Sequence, residues 1–166
     1  AIDLVASGLF PHSRLIVCDT NEKDLEKHSA NATERFLLEK LRKKVKSGDA
    51  PLVEDIVDKA SDSVIVCATL GGMTGSKYAP LIALEAILKG KFVCSFFSMP
   101  YEFEGEQKTK RAMNARMQLI VSSNFAVQQN NDRLKEVESL GINDIDKPLV
   151  ETLKSAMKDR TLVELA

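Results

Sequence analysis

Apolar positions along this chain fall into two kinds of run. Residues 14–18 (RLIVC), 63–68 (SVIVCA) and 92–98 (FVCSFFS) are short, nearly continuous and rich in β-branched or aromatic side chains. Runs of this kind predict buried parallel strands. Residues 124–128 (NFAVQ) form a weaker fourth candidate. Elsewhere the apolar residues recur at helical spacing. Residues 1–9 read as the tail of a helix. Asn31 is placed to N-cap another, with Glu34 at the third position as in a capping box. That helix would carry Phe36, Leu37 and Leu41 on one face and end at Ser47, Gly48 and Asp49. Leu52, Ile56 and Val57 mark a further helix, and residues 80–88 and 104–122 mark two more. The last helix spans 148–165, with Leu149, Leu153, Met157 and Leu162 on or near one face. Strands alternating with helices predict an α/β fold, a three-layer sandwich with a mostly parallel, Rossmann-like sheet. A single domain over 1–166 is expected, with the polar stretch 140–147 as its longest break.

Composition narrows the function classes. The net charge is −1, with 44% hydrophobic and 28% charged residues, the profile of a soluble globule. Nothing in that balance asks for nucleic acid or an acidic membrane surface as a partner. The cluster Lys40, Arg42, Lys43, Lys44 and Lys46 stands beside Glu34, Glu39 and Asp49, and reads as a solvated helix face. His12 and His28 have no acidic or cysteine neighbours at ligand spacing, so no metal site is expected. The three cysteines, Cys18, Cys67 and Cys94, form no CxxC pair and each sits in a strand-like run. They read as buried, reduced thiols of a cytoplasmic protein. No apolar stretch approaches the roughly 20 residues of a membrane helix, so direct membrane insertion is not expected. The sequence opens on Ala1 rather than Met, which implies processing, truncation or further residues.

The most informative stretch is 64–80, VIVCATLGGMTGSKYAP. A strand runs into a glycine-rich loop, and the loop opens a helix. Glycines let backbone turn sharply and approach a ligand closely. A helix N-terminus leaves unsatisfied N–H groups and partial positive charge. Together they make an anion site of the kind that binds phosphate. Thr74 and Ser76 offer hydroxyls, and Lys77 offers a charge. The stretch contains neither G-x-G-x-x-G nor G-x-x-x-x-G-K-[ST], so it is neither the dinucleotide fingerprint nor a Walker A loop. A plain strand-to-helix turn would share the same broad features.

Three motifs in one register give the stretch a family resemblance. GGMTGSKYAP at 71–80 resembles the tubulin-signature loop of FtsZ, GGGTGTGAAP. PYEFEG at 100–105 resembles the P-F-x-F-E-G ribose loop of that family, its Gly105 standing 25 residues after Pro80. Asn130 follows after another 25 residues, and then NDRL at 131–134 resembles the N-D-[KR]-L segment that opens the next family helix. The clear resemblance covers 64–137. A looser one places Asp19, Thr20 and Asn21 near the family's N-T-D loop.

The resemblance implies an FtsZ/tubulin-type nucleotide-binding domain, binding GTP or GDP weakly, with Mg2+ as a candidate companion ion. It implies that Gly71, Gly72, Thr74, Gly75 and Ser76 cradle phosphates. Glu104 would accept a hydrogen bond from a ribose hydroxyl, and Asn131 would contact sugar or base. Lys108 stands where the family has an arginine that also contacts the ribose, keeping charge but losing the planar fork. Tyr101 and Phe103 are expected to support their loop by packing. Several positions depart from the family pattern. Met73 replaces a glycine, which would obstruct backbone approach if that position needs positive φ. Lys77 and Tyr78 replace a Gly-Ala pair. The first glycine-rich loop, the guanine-reading aspartate and the hydrolytic aspartate loop have no visible counterparts, so the catalytic residues are unknown. Asn143, Asp144 and Asp146 resemble that last loop only superficially, since they precede the final helix.

Three functions follow as expectations. The first is a nucleotide-binding, self-associating relative of cell-division or cytoskeletal filament proteins. The second is a degenerate, non-enzymatic homologue that binds an FtsZ-type subunit and modulates its assembly. The third is an unrelated Rossmann-like enzyme, for which no Ser/His/Asp, Cys/His or metal cluster appears. In the family topology a further strand separates 15–18 from 64–67. The sequence therefore predicts either direct pairing of those two strands or residues preceding Ala1.

Overall fold

The computed structural model of the chain describes residues 14–28, 32–38 and 50–134. The expected helices at 1–9 and 148–165, the Asn31 cap, His12, the basic cluster and the 140–147 loop lie outside the described residues. The described chain runs β1 (Ile16–Asp19), α1 (Glu22–His28), β2 (Glu34–Leu37), α2 (Ala50–Asp58), β3 (Ser63–Thr69), α3 (Met73–Leu88) and β4 (Phe92–Met99). A 3-10 turn (Glu102–Glu104), α4 (Glu106–Val121), β5 (Phe125–Asn130) and a helical turn α5 (Asn131–Leu134) follow. Every ladder among the described residues is parallel: β1 pairs with β2, and β3, β4 and β5 pair in that order. The α/β fold with parallel sheets and flanking helices is the one expected.

Register and side-chain alternation assign the two faces of the larger sheet. Val66, Ser95 and Ala126 lie opposite one another, as do Ala68, Phe97 and Gln128. Val66, Val93 and Phe97 are buried on the face that α3 and α4 cover. Those helices meet the sheet with small residues, Ala79, Ala83 and Ala86 from α3 and Ala112 and Ala115 from α4. The spacing of three and four residues puts each set on one helix face, and the short side chains let the helix axes come close to the strands.

The smaller sheet has its own core. Leu38, Val53, Ile56 and Tyr78 are buried together, with Ile16, Cys18 and Phe36 packed against them. Ile82 of α3 touches both cores, so one helix joins the two sheets. The expected direct pairing of 15–18 with 64–67 does not form. The described ladder of β1 is with β2, and α3 holds the sheets together by packing instead.

Glu34–Leu37 is a second correction, a strand where the capping-box pattern predicts a helix. Backbone bonds to β1 flank it, from Thr33 N–H to the Leu15 carbonyl (2.8 Å) and from Leu38 N–H to the Asp19 carbonyl (2.7 Å). The Glu34 carboxylate pairs with Arg14 (3.2 Å) and Lys59 (2.9 Å) rather than capping a helix. A nonlocal ladder plus burial of Phe36 outweighs one local cap, which is worth only about 1 kcal/mol. A third correction concerns α3. It begins at Met73, and Pro80 lies inside it rather than at its start.

All three cysteines are free thiols and half-buried rather than fully buried. Desolvation pushes the Cys67 thiol up to about 11 and the Cys18 thiol up to about 12, the latter with help from Asp19. Each raised value means that the folded state keeps a proton that the unfolded thiol loses near 9.0. The associated stability is therefore present below pH 9 and lost as pH climbs through 11 and 12. At pH 8 the native thiols should alkylate with iodoacetamide at least about tenfold more slowly than the urea-unfolded chain, because thiolate is the reactive form. Equal rates in the two states would contradict this.

Candidate functional site

The glycine-rich stretch leaves the carboxyl end of β3 and enters α3 within a few residues. Gly71 has φ +96°, a conformation that side chains rarely adopt. Its N–H donates to the Ser76 hydroxyl oxygen (2.7 Å), and its carbonyl accepts from the Arg111 guanidinium (2.8 Å). Both polar groups of Gly71 are thus held. Gly72 is the N-cap of α3, in extended conformation, and no side chain caps the helix there. A Cβ on Gly72 would meet nothing within 4 Å, so this side of the backbone is open. Gly75 serves a different need: a Cβ there would lie 2.1 Å from the Thr69 carbonyl oxygen. The first turn of α3 is pressed against the end of β3, and only glycine fits.

Met73 has no positive φ, since no described residue other than glycine does. It is the first residue of α3 and is 54% exposed. The position does not need positive φ, because the helix starts here instead of a left-handed turn, so the condition for an obstruction is not met. Ser76 is buried and its oxygen is occupied by Gly71, so it braces the loop from behind. The Thr74 hydroxyl lies 2.8 Å from that of Thr20, in the loop after β1. This contact draws the smaller sheet into the site.

The second loop leaves β4 at Met99. Pro100 touches Gly71 closely: a Cβ on Gly71 would lie 3.1 Å from the Pro100 Cβ and 3.6 Å from the Lys108 Cβ. The Glu104 carboxylate accepts from the Tyr101 backbone N–H (2.9 Å) and from the Lys108 ammonium (2.9 Å). The Lys108 hydrogen bond, aided by the Tyr101 amide, holds the Glu104 carboxyl below its ordinary range despite partial desolvation. Each carboxylate oxygen has a second lone pair, so a sugar hydroxyl can still be accepted. Tyr101 and Phe103 stack at 5.0 Å with a 15° interplanar angle, yet Phe103 is 75% exposed. The pair braces the loop by contact with each other, rather than by both rings entering the core.

The helical turn α5, at the carboxyl end of β5, completes the group. Asp132 accepts from the Glu102 backbone N–H at 3.1 Å and 3.3 Å through its two oxygens. Asn131 is half-buried beside it and accepts from the Gln129 amide (3.3 Å). The carboxyl ends of β3, β4 and β5 therefore carry three segments, the first touching the second and the second touching the third, where open α/β sheets carry ligand sites. Gly71 and Gly72 sit on the first loop, with Thr74, Gly75 and Ser76 in the turn of α3 that it opens; Glu104 lies on the second, with Lys108 in α4; and Asn131 opens α5. Arg111 and Asp132 are further members whose roles the sequence does not disclose. For Arg111 the available signal is helical spacing, three residues from Lys108 on the same face of α4.

The sequence profile of the Tubulin/FtsZ family, GTPase domain, matches residues 9–139. The chain belongs to the Tubulin/FtsZ family. It is 31% identical over 123 residues to the cell division protein FtsZ of Aquifex aeolicus, covering 70% of this chain and 34% of that protein. It is 29% identical over 137 residues to cell division protein FtsZ 1 of Pyrococcus woesei, covering 75% of this chain and 37% of the relative. The chain thus spans about a third of the length of these relatives. Among solved structures, CetZ from Methanosaeta thermophila superposes with a TM-score of 0.76 at 20% identity, over 96% of this chain and 50% of that one. An empty FtsZ dimer from M. jannaschii gives 0.67 at 20% identity, over 94% and 50%. These two likenesses bear on the Tubulin/FtsZ fold alone. No helix among the described residues is long and apolar enough to cross a membrane.

Proposed function

We propose that this chain binds a guanine nucleotide, GTP or GDP, across the carboxyl ends of β3, β4 and β5, as part of a self-associating filament protein. The observation that carries the reading is the meeting of three family-like loops at one edge of the sheet, within a chain matched by the family's GTPase-domain profile. The N–H groups opening α3, without a side-chain cap, fit a phosphate. Gly72 and Thr74 present donors, Gly71 and Ser76 shape the turn, and Gly75 lets the turn sit close to the strand. Glu104 accepts from the ribose, and Lys108 holds that carboxylate in place. Asn131 borders the sugar or base. Self-association, with itself or with an FtsZ-type subunit, and a cytoplasmic setting belong to the same reading.

Affinity should be low. Lys108 supplies one point charge where a forked guanidinium would bind two acceptors. The Gly71 N–H is already spent on Ser76. Calorimetric titration should give a Kd for GDP on the order of 10 μM to 1 mM, with ADP bound within about tenfold of GDP. Absence of GDP binding at millimolar concentration would end the proposal. Sub-micromolar, guanine-selective binding would show that the described site residues are not the whole of the recognition. In the same samples, phosphate release from GTP by this chain alone should stay at background. Release that rises steeply with protein concentration would contradict that expectation.

A further inference from the structure

We infer that Arg111 is a positioning residue of the phosphate loop: it fixes the Gly71 carbonyl toward α4 and so turns the Gly72 N–H outward to an anion. The inference rests on the nucleotide-binding reading above. Peptide units are planar and trans, so the carbonyl of one residue and the N–H of the next point in opposite directions. With the Gly71 oxygen drawn 2.8 Å from the Arg111 guanidinium, the Gly72 N–H points away from α4. On that residue a side chain would meet nothing within 4 Å. A glycine at φ +96° has no Cβ to restrict its neighbouring peptide, so this plane needs an outside hold. Arg111 supplies it from 40 residues away.

Charge makes the contact more than a brace. Lys108 and Lys110, on the same helix, are paired with Glu104 and Glu106. Among the described residues, no carboxylate lies within ion-pair distance of Arg111. A half-buried guanidinium behind the loop thus adds an uncompensated positive charge to that of the helix terminus. Both effects act on an anion and neither acts on a base.

The test compares the wild-type chain with Arg111→Met, Arg111→Lys and the control Lys110→Met, using GDP and inorganic pyrophosphate as separate probes in calorimetry. Arg111→Met should weaken both probes by the same factor, about tenfold or more, as loss of a charge-assisted hydrogen bond implies. Arg111→Lys should recover most of that loss. Lys110→Met removes the same charge from the helix surface and should leave both affinities unchanged. In the wild-type chain itself, the 15N–1H signal of Gly72 should be among those most shifted by pyrophosphate, a reading that needs no variant to fold. Arg111→Met binding both probes as the wild type does would overturn the inference and leave the nucleotide reading standing. Loss of GDP alone, with pyrophosphate retained, would also overturn it, as would failure of Arg111→Lys to recover affinity or an unmoved Gly72 signal on binding. A wild-type chain that binds neither probe would remove the nucleotide reading and this inference together.

Discussion

Gly75→Ala should lower the melting temperature by about 10 °C, corresponding to about 3 kcal/mol at a few degrees per kcal/mol for a chain of this size. A Cβ built on Gly75 lies 2.1 Å from the Thr69 carbonyl oxygen, and that oxygen is backbone at the end of β3, a strand laddered to β4. No rotamer change relieves the overlap. Either the first turn of α3 lifts from β3, or β3 shifts against β4, and each response opens part of the core. The same lift would displace the Gly72 and Thr74 amides, so nucleotide affinity should fall alongside stability. Gly72→Ala, three residues away, is the matched control. Its Cβ meets nothing, its φ is −72°, and the change should cost no more than about 1 kcal/mol. Thermal melting of the two variants separates the effects. A Gly75→Ala chain melting within about 2 °C of wild type, about 0.6 kcal/mol on the same scale, would mean that the close approach relaxes at little cost.

Phe97→Ala should destabilise the chain by about 3–5 kcal/mol, the usual range for deleting a buried aromatic side chain. Phe97 is fully buried among Val66, Ala83, Ala112 and Leu119, on the sheet face under α3 and α4. Of its neighbours across the sheet, Ala68 is small and Gln128 is polar, exposed and bonded to Arg116, so neither fills an apolar space. The small alanines of both helices cannot expand into it either. Urea unfolding should show a lower midpoint with an unchanged slope, the signature of lost native stability rather than altered compactness. Phe97→Leu retains most of the volume and should lose less than half as much. Equal losses in the two variants would place the contribution of Phe97 in ring-specific contacts rather than cavity volume.

These two predictions concern positions of different legibility. The importance of the glycines at 71, 72 and 75 is visible in the sequence, because a strand-like run ending in glycines before a helix has few geometric solutions. Which glycine does what is not visible. Gly71 answers a backbone angle, Gly75 answers a carbonyl oxygen, and Gly72 borders open space. Those distinctions depend on where β3 and Pro100 lie.

Local pattern alone determined β3, β4 and the larger part of α4. Their apolar runs are continuous, their periods unmixed, and their ends marked by glycine or a change of period. The family register of 71–80, 100–105 and 131–134 was equally readable, since fixed spacing survives substitution within the loops. The sequence misled where a nonlocal contact outweighed a local signal. Glu34 looks like part of a capping box, yet its segment joins β1 in a ladder and its carboxylate pairs with Arg14 and Lys59. Pro80 looks like a helix start, yet α3 begins at Met73, where the close approach to Thr69 sets its first turn.

Only the tertiary structure decided how the loops meet. Thr20 reaches Thr74 across 54 residues, Arg111 reaches Gly71 across 40, and Asp132 reaches Glu102 across 30. Each contact is a polar interaction at one point, between segments whose own patterns give no sign of it. Hydrophobic periodicity reports how a segment faces the core, because burial acts on every residue of the segment at once. A single directional bond between two loops leaves no period, so its partners become known only when the strands beneath have brought them together.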